Sequence, residues 1–494
     1  MDWPPPARAG EAFTACELEA KKRPAVLLRK RRTSGKLPPH DHNTPRLSEE
    51  HSRRLLAAWA AAPLAGICAA VEAPALIDFQ HWFDASSPEV AKLAEAIFGQ
   101  CVLGKLSAPR GTLKHSWITA GGGFVGQWIW DTMFVVDLLS LLPGMEQNIR
   151  DVFQNYWDFQ VRWNQQRPAY AHDMVPCMIE PHNETKWLGF PAYSQIPILA
   201  WGVERVFRRN GDKELVRQCL GPLERFHEWY WRERDVTSLG LVAVGAYSGV
   251  IQHARYETFD NECNLDGLNL TVHPTRLGEK EGAWYGDICA AGNTAYLIMG
   301  EQSLVYLAQV AGDRALAARR QRRIDQSVEA MRKHMWDEQA GTFLSVNRDS
   351  LKKVPVATIG SWIALMAGVP TAAMAIRMAE ALRTENWQTP LPVPTVDRKD
   401  KRWKSDAYWR GDVWPAPNYQ IATGLGRYGY KDLAADIADK TVANALKNGV
   451  SEHYDAVTGK ALGVNFLGMS CTIATMMLDG LTDKYRLKLR EISK

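Results

Sequence analysis

The chain of 494 residues has no Cys-x-x-Cys pair and no His-Glu-x-x-His pattern. Its eight cysteines, at 16, 68, 101, 177, 219, 263, 289 and 471, are scattered. That spacing removes the common zinc frameworks and disulfide scaffolds from consideration. Neither a cofactor nor a metal is expected, and the cysteines read as buried thiols of a cytoplasmic protein. No apolar run approaches the roughly 20 residues needed to cross a bilayer, so no membrane span is expected. The first residues are followed by mixed polar ones rather than an apolar stretch, and Ala25-Val-Leu-Leu28 is too short for a secretory signal. Charge of one sign is scarce too. The formal net charge of +4 sits largely near the N-terminus, where Lys21, Lys22, Arg23, Arg29, Lys30, Arg31, Arg32 and Lys36 have no acid among them. The rest is nearly balanced, which weakens a nucleic-acid reading of the main body.

Residues 1–48 carry that basic run, prolines at 4, 5, 6, 38 and 39, and little hydrophobic periodicity. They read as a flexible arm, either a solvated tail or an address for an organelle or polyanion. From residue 49 to 494, apolar residues recur at helical spacing, while β-branched alternation is brief and confined to places such as Leu239 to Val250. The expected class is all-α.

A punctuation repeats along the helical region. Asn210-Gly211-Asp212 and Ala311-Gly312-Asp313 each supply a left-handed stop and a cap for the next helix, with Gly368-Val-Pro370 and Gly429-Tyr-Lys-Asp432 as looser versions. Ser86-Ser-Pro-Glu89 is a further helix start. Each unit is an antiparallel helical hairpin. Apolar first helices begin near residues 126, 194, 291, 357, 414 and 468. Six inner helices predict an (α/α)6 barrel, completed outside by a helix near 51–61 or 87–101. Spacings of about 54 to 97 residues are too long and too uneven for the α-solenoid repeats of 34 to 47. The intervals 164–193 and 235–290 are longer than structural turns and rich in Trp, Tyr, Asp, Glu and His, so they are expected to cap the central cleft.

The segment Asp406-Ala-Tyr-Trp-Arg-Gly-Asp-Val-Trp-Pro-Ala-Pro-Asn418 is expected to line that cleft. It gathers Tyr408, Trp409 and Trp414 around Arg410 and Asp412. Aromatic faces beside charged hydrogen-bonding groups suit a pyranose, whose C–H face stacks while its hydroxyls need fixed partners. The plainer reading is a loop whose tryptophans plug a core edge. Breaking a glycosidic bond takes one protonated carboxyl and a second carboxylate. Arg255-Tyr-Glu-Thr-Phe-Asp260-Asn-Glu262, Val450-Ser-Glu452-His-Tyr-Asp455 and Trp130-Asp131 offer carboxyls beside aromatic residues, although loop carboxylates are more often caps or surface charges.

Together these stretches carry a family resemblance. Gly122-Gly-Phe-Val-Gly-Gln-Trp-Ile-Trp130-Asp131 resembles the glycine-rich, Trp-Asp-containing first signature of trehalases and glycoside hydrolase family 63. Tyr193-Ser-Gln195-Ile-Pro197 is similar to their Ser-Gln-Pro-Pro segment. Tyr408-Trp-Arg-Gly-Asp-Val-Trp414 resembles the Tyr-Trp-Arg-Gly-Pro-x-Trp element of family 63, which includes mannosylglycerate hydrolases. Ser451-Glu452-His-Tyr-Asp455 is similar to their Glu-x-Tyr-Asp base segment. The four follow in the same order over roughly residues 110–485.

The resemblance implies an inverting α-glycosidase acting on a small α-glucoside or α-mannoside. It gives Glu452 as the general base and Asp260 as the acid, with Glu257, Glu262 and Asp266 as rivals for the acid. By the same matching Trp130, Asp131, Gln195 and Trp414 would hold the cleaved sugar. Tyr408, Trp409 and Arg410 would complete the binding surface, with Tyr408 and Trp409 facing the leaving group. Val464-Asn-Phe466-Leu-Gly-Met-Ser470 stands where the relatives have a Phe-x-Trp-Thr-like element. That departure has two readings, a repacked inner helix or an altered sugar specificity. It also keeps open a catalytically degenerate, carbohydrate-binding barrel.

Overall fold

The structure of the chain is a computed structural model that describes residues 82–166, 172–181, 193–246, 251–272 and 284–490. The arm expected over residues 1–48 lies outside the described residues. Helix α1 (Pro88–Ile97) begins as the Ser-Ser-Pro-Glu stretch predicts. Ser87 caps it, its hydroxyl accepting from Val90 N at 3.3 Å, and Pro88 takes the first position, where no N–H is needed. Among the described residues, apart from the short helix Ile251–Arg255 and single helical turns, these follow: α2 (Ile129–Leu139), α3 (Glu146–Gln166), α4 (Leu199–Asn210), α5 (Lys213–Arg234), α6 (Ala291–Ala311), α7 (Arg314–Ala330), α8 (Ile359–Met366), α9 (Ala372–Leu382), α10 (Pro415–Arg427), α11 (Lys431–Asn448) and α12 (Thr472–Leu478).

The punctuation places the hairpin turns. Gly211 and Gly312 end α4 and α6 with φ of 74° and 81°, the left-handed conformation that a side chain would disfavour. Asp212 and Asp313 then cap α5 and α7, accepting from Leu215 N at 3.0 Å and Leu316 N at 2.9 Å.

The even-numbered helices are the more buried ones, although α4 is amphipathic, with Arg208 and Asn210 exposed. Every residue of α2 and α8 is buried, and nearly every residue of α10 and α12. An element with no polar face has to be covered all round. They cover one another in sequence: α2 packs on α4, α4 on α6, α6 on α8, α8 on α10 and α10 on α12. The turn Gly468–Cys471, which leads into α12, packs back on α2 and closes the cycle. Odd-numbered helices lie against this ring, α5 on α4 and α6, α7 on α6, and α11 on α10 and α12.

The expected all-α class needs a correction, because the described residues also form short antiparallel strands. Trp284–Cys289 pairs with Ala243–Ala246, Leu270–Val272 and Val346–Asn347, and Ser451–Tyr454 pairs with Ala461–Asn465. These strands lie in helix-to-helix connections, where pairing satisfies backbone groups that buried loops would otherwise leave open. The strand Ala243–Ala246 falls in the Leu239 to Val250 stretch where alternation shows in the sequence, whereas the others, at two to six residues each, are too short for it to stand out. Among the described residues no helix is long and apolar enough to cross a membrane.

Candidate active site

Helix α2 carries two buried acids, Asp131 in its first turn and Asp137 near its end, and their surroundings drive them apart. At Asp137 burial alone would raise the pKa, but the guanidinium groups of Arg205 and Arg209 override it and hold the carboxyl at about 2. That end of the ring is a structural ion-pair cluster completed by Asp479. Asp131 has no such cation in contact. Burial first, then the nearby Glu452 and Asp260 carboxyls, push it up to about 8. Its Oδ1 has no hydrogen-bond partner among the described residues.

Asp131 opens onto a cavity of about 160 Å³, many times the ~10–15 Å³ a single water needs. Aromatic walls come from Phe124, Trp128, Trp130, Tyr256, Phe259, Tyr408, Trp409 and Trp414, and Asp131, Gln195, Thr258, Asp260 and Glu452 supply polar groups. Of the nine residues that sequence reasoning placed at the site, eight line this cavity. Arg410 does not. Its guanidinium is engaged by Asp266, at 2.5 and 3.1 Å.

Asp260 sits in a turn that follows the short helix Ile251–Arg255. Two anchors fix that turn. On one side Glu257 accepts from Arg234 at 2.6 and 2.7 Å, from Ser194 N at 3.2 Å and from Gly245 N at 2.8 Å. On the other, Asn261 Oδ1 accepts from Trp409 N at 3.0 Å, while the Phe259 ring packs on Trp409 and Trp130. Between the anchors Asp260 faces the cavity. Burial and the Glu452 carboxylate raise its pKa to about 7. The three rival acids lie outside the cavity lining: Glu257 in the Arg234 pair, Asp266 in the Arg410 pair, and Glu262 against the hydroxyls of Thr358 and Thr258.

Glu452 stands on the strand Ser451–Tyr454, nearly fully buried, with both oxygens engaged. Tyr408 Oη donates to Oε1 at 3.2 Å and Val464 N to Oε2 at 2.9 Å. The second bond depends on Gly463, at φ 70°, where a Cβ would stand 2.4 Å from Oε2. Gln195 accepts from Trp130 N at 2.9 Å through Oε1, which ties the Ser-Gln segment to the start of α2.

Leu467 and Met469, from the departing stretch after the hairpin, also line the cavity, and Trp130 Nε1 donates to Met469 Sδ at 2.9 Å. Sequence reasoning passed over these two residues, together with Ala120, Ile196 and Thr258. Apart from Thr258 these side chains are apolar and carry no chemical signature, and only their closeness to the motifs marks them. None of the described residues 164–193 lines the cavity, whereas the interval 235–290 contributes Tyr256, Thr258, Phe259 and Asp260. Residues 167–171, 182–192, 247–250 and 273–283 of these intervals lie outside the described residues.

Residues 125–470 match the model of the mannosylglycerate hydrolase MGH1-like glycoside hydrolase domain. A mannosylglycerate hydrolase of Rubrobacter radiotolerans is 29% identical over 37% of this chain and 41% of its own length. Mannosylglycerate hydrolase MGH1 of Selaginella moellendorffii is 24% identical over 55% of this chain and 62% of its own. The chain thus spans less than two thirds of either relative. Among solved structures, the GH63 mannosylglycerate hydrolase of Thermus thermophilus in complex with glucose superposes with a TM-score of 0.61 at 20% identity, covering 78% of this chain and 99% of that one. Neutral trehalase Nth1 of Saccharomyces cerevisiae gives 0.55 at 15% identity, over 74% of each chain. At such identities the structural likeness speaks for the fold alone.

Proposed function

The chain belongs to the mannosylglycerate hydrolase MGH1-like glycoside hydrolase family, and from that premise we propose that it hydrolyses a small α-glucoside or α-mannoside with inversion, in the cleft of an (α/α)6 barrel. The closed succession of α2, α4, α6, α8, α10 and α12 supports the barrel. The activity rests on one observation above the rest, the Asp260 and Glu452 carboxyls on one aromatic-walled cavity in unlike surroundings.

Asp260 is the general acid. With a pKa near 7 it keeps its proton until the glycosidic oxygen arrives, and protonating that oxygen lets the aglycone leave as a neutral alcohol. Glu452 is the general base. Tyr408 and Val464 stabilise its carboxylate, which takes a proton from a water as that water's oxygen bonds the anomeric carbon from the opposite face. One water is consumed, and an α-glycoside yields a β-configured sugar. Asp131 and Gln195 receive the hydroxyls of the cleaved sugar beside Trp130, and Tyr408 and Trp409 face the leaving group. The six free cysteines among the described residues support a cytoplasmic setting.

The test is a proton NMR time course with trehalose, kojibiose, nigerose, maltose, isomaltose, glucosylglycerate and mannosylglycerate, run on the parent and on Glu452→Gln. The proposal expects the β-anomer first, and only with the parent. Near-normal turnover by Glu452→Gln overturns the assignment of the base. Silence across the panel, with sugar-dependent tryptophan fluorescence, moves the reading to a carbohydrate-binding protein.

A further inference from the structure

In the family element that Tyr408-Trp-Arg-Gly-Asp-Val-Trp414 resembles, the fifth position is proline, and here it is Asp412. That side chain is fully buried. Its Oδ1 accepts from Asp406 N at 2.9 Å and its Oδ2 from Tyr408 N at 2.7 Å. Asp406 and Tyr408 both adopt left-handed backbone conformations, with φ of 57° and 63°. Non-glycine residues adopt these only when something else holds them there. Hydrogen bonds to an ionised carboxylate are among the stronger restraints available, and a proline at 412 could make neither.

The same carboxylate reaches the strand that carries Glu452. Oδ2 of Asp412 stands 3.0 Å from Nδ1 of His453, a close approach whose angles fall outside hydrogen-bond geometry. The imidazole lies flat on Trp414, with centroids 4.8 Å apart and planes 16° from parallel, and edge-on to Tyr408 at 5.3 Å. Beside them Val413 and Tyr454 exchange backbone hydrogen bonds of 2.8 and 2.9 Å, so the two segments keep one register. The outcome is at the cavity. Tyr408, with its backbone held by Asp412 and its ring braced by His453, donates to Glu452 Oε1.

We propose that Asp412 and His453 form a positioning pair that aims the Tyr408 hydroxyl at the Glu452 carboxylate and so sets the direction in which that group can take a proton. The kinetic consequence rests on the glycosidase reading, whereas the positioning itself does not. Neither residue lines the cavity, so an effect on turnover has to pass through the lining residues they touch, Tyr408 and Trp414.

A double-mutant cycle separates this from a turn-forming role. On whichever panel sugar the parent cleaves, Asp412→Asn and Tyr408→Phe are each expected to lower kcat by about tenfold or more with KM little changed, and the double variant to match the poorer single within about twofold. Losses that multiply in the double variant, or an unchanged kcat in Asp412→Asn, overturn the proposal. Crystal structures of the parent and Asp412→Asn supply a reading independent of substrate. Tyr408 Oη is expected to leave hydrogen-bond range of Glu452, and its retention overturns the pair. Should Asp412→Asn fail to fold, His453→Gln carries the same cycle and the same distance. A parent inactive on every sugar defeats the glycosidase reading, and the distance still decides the positioning.

Discussion

Trp414 is stacked face to face on Trp409, with ring centroids 3.8 Å apart and planes 11° from parallel. His453 covers the opposite face of Trp414. Both π-faces of a residue matched to sugar binding are therefore taken by protein. Its contact with a sugar is limited to its edge, and the stack itself belongs to the core. Trp414→Ala is accordingly expected to cost about 3–5 kcal/mol of stability, the range for truncating a buried tryptophan, measured as a lower urea midpoint. A ring serving mainly as a sugar platform would instead lose affinity at unchanged stability.

Asp260 and Glu257 are three residues apart, and their substitutions are expected to fail differently. Glu257→Gln leaves the Arg234 guanidinium buried beside a neutral amide, and breaking a buried pair in this way costs about 3–5 kcal/mol. Asp260→Asn removes a proton donor and leaves that anchor intact. Its kcat should fall by about 10²–10⁴ with the thermal midpoint held, and the loss should shrink on an aryl glycoside whose phenol departs without protonation. Kinetics and melting curves for the two variants decide which residue is the acid. A stable, fully active Asp260→Asn would transfer the role elsewhere.

What the sequence disclosed of this arrangement follows from how local each cause is. Helix boundaries were legible at Ser87, Gly211, Asp212, Gly312 and Asp313 because capping is settled within a few residues. The even-numbered helices begin at 129, 199, 291, 359, 415 and 472, within a few residues of expectation, because burial leaves long apolar stretches in most of them and one apolar face on α4. Aromatic neighbours marked the segments around Asp260 and Glu452 as candidates, while the choice of these two residues rested on the family resemblance, and both line the cavity. Arg410 illustrates the opposite case. A guanidinium inside an aromatic motif looks like a ligand-binding group, yet Asp266, 144 residues earlier, claims it. The hairpin that presents Glu452 was hidden too, since it depends on Gly463 admitting the carboxylate next to its α-carbon, a contact between strands.

On the proposed mechanism the proton on Asp260 sets the alkaline limit of activity. Its pKa is about 7, and turnover needs the protonated form, so kcat/KM should fall as pH rises through about 7. An ordinary exposed aspartate would lose its proton near 4 and leave little activity at neutral pH. The profile of kcat/KM between pH 4 and 10 checks this. Replacing Tyr408 with phenylalanine should move the alkaline limb upward, because the Tyr408 hydroxyl lowers the Asp260 pKa.

Asp131 links function to stability, and the sign can be worked out. Its pKa rises from 3.8 in an ordinary setting to about 8 in the folded protein. Below about 4 it is protonated in both states and contributes no pH dependence. Between about 4 and 8 the unfolded chain releases the proton while the folded chain retains it, so the folded state binds more protons and stability falls as pH rises. Above about 8 the folded form ionises as well, and the contribution levels off at its least favourable value. Asp131→Asn removes the titration, and a neutral amide does not carry the cost of burying a charge beside Glu452 and Asp260. The variant should therefore be close to the parent in stability at pH 3 and more stable at pH 8.5, by on the order of 1 kcal/mol or more, while on the proposed mechanism its turnover falls because the sugar loses a hydrogen-bond acceptor. Urea unfolding at the two pH values, set beside kcat, tests both halves. An Asn variant less stable than the parent at pH 8.5 would mean that the Asp131 carboxylate is held by favourable contacts and is not a strained group kept for substrate.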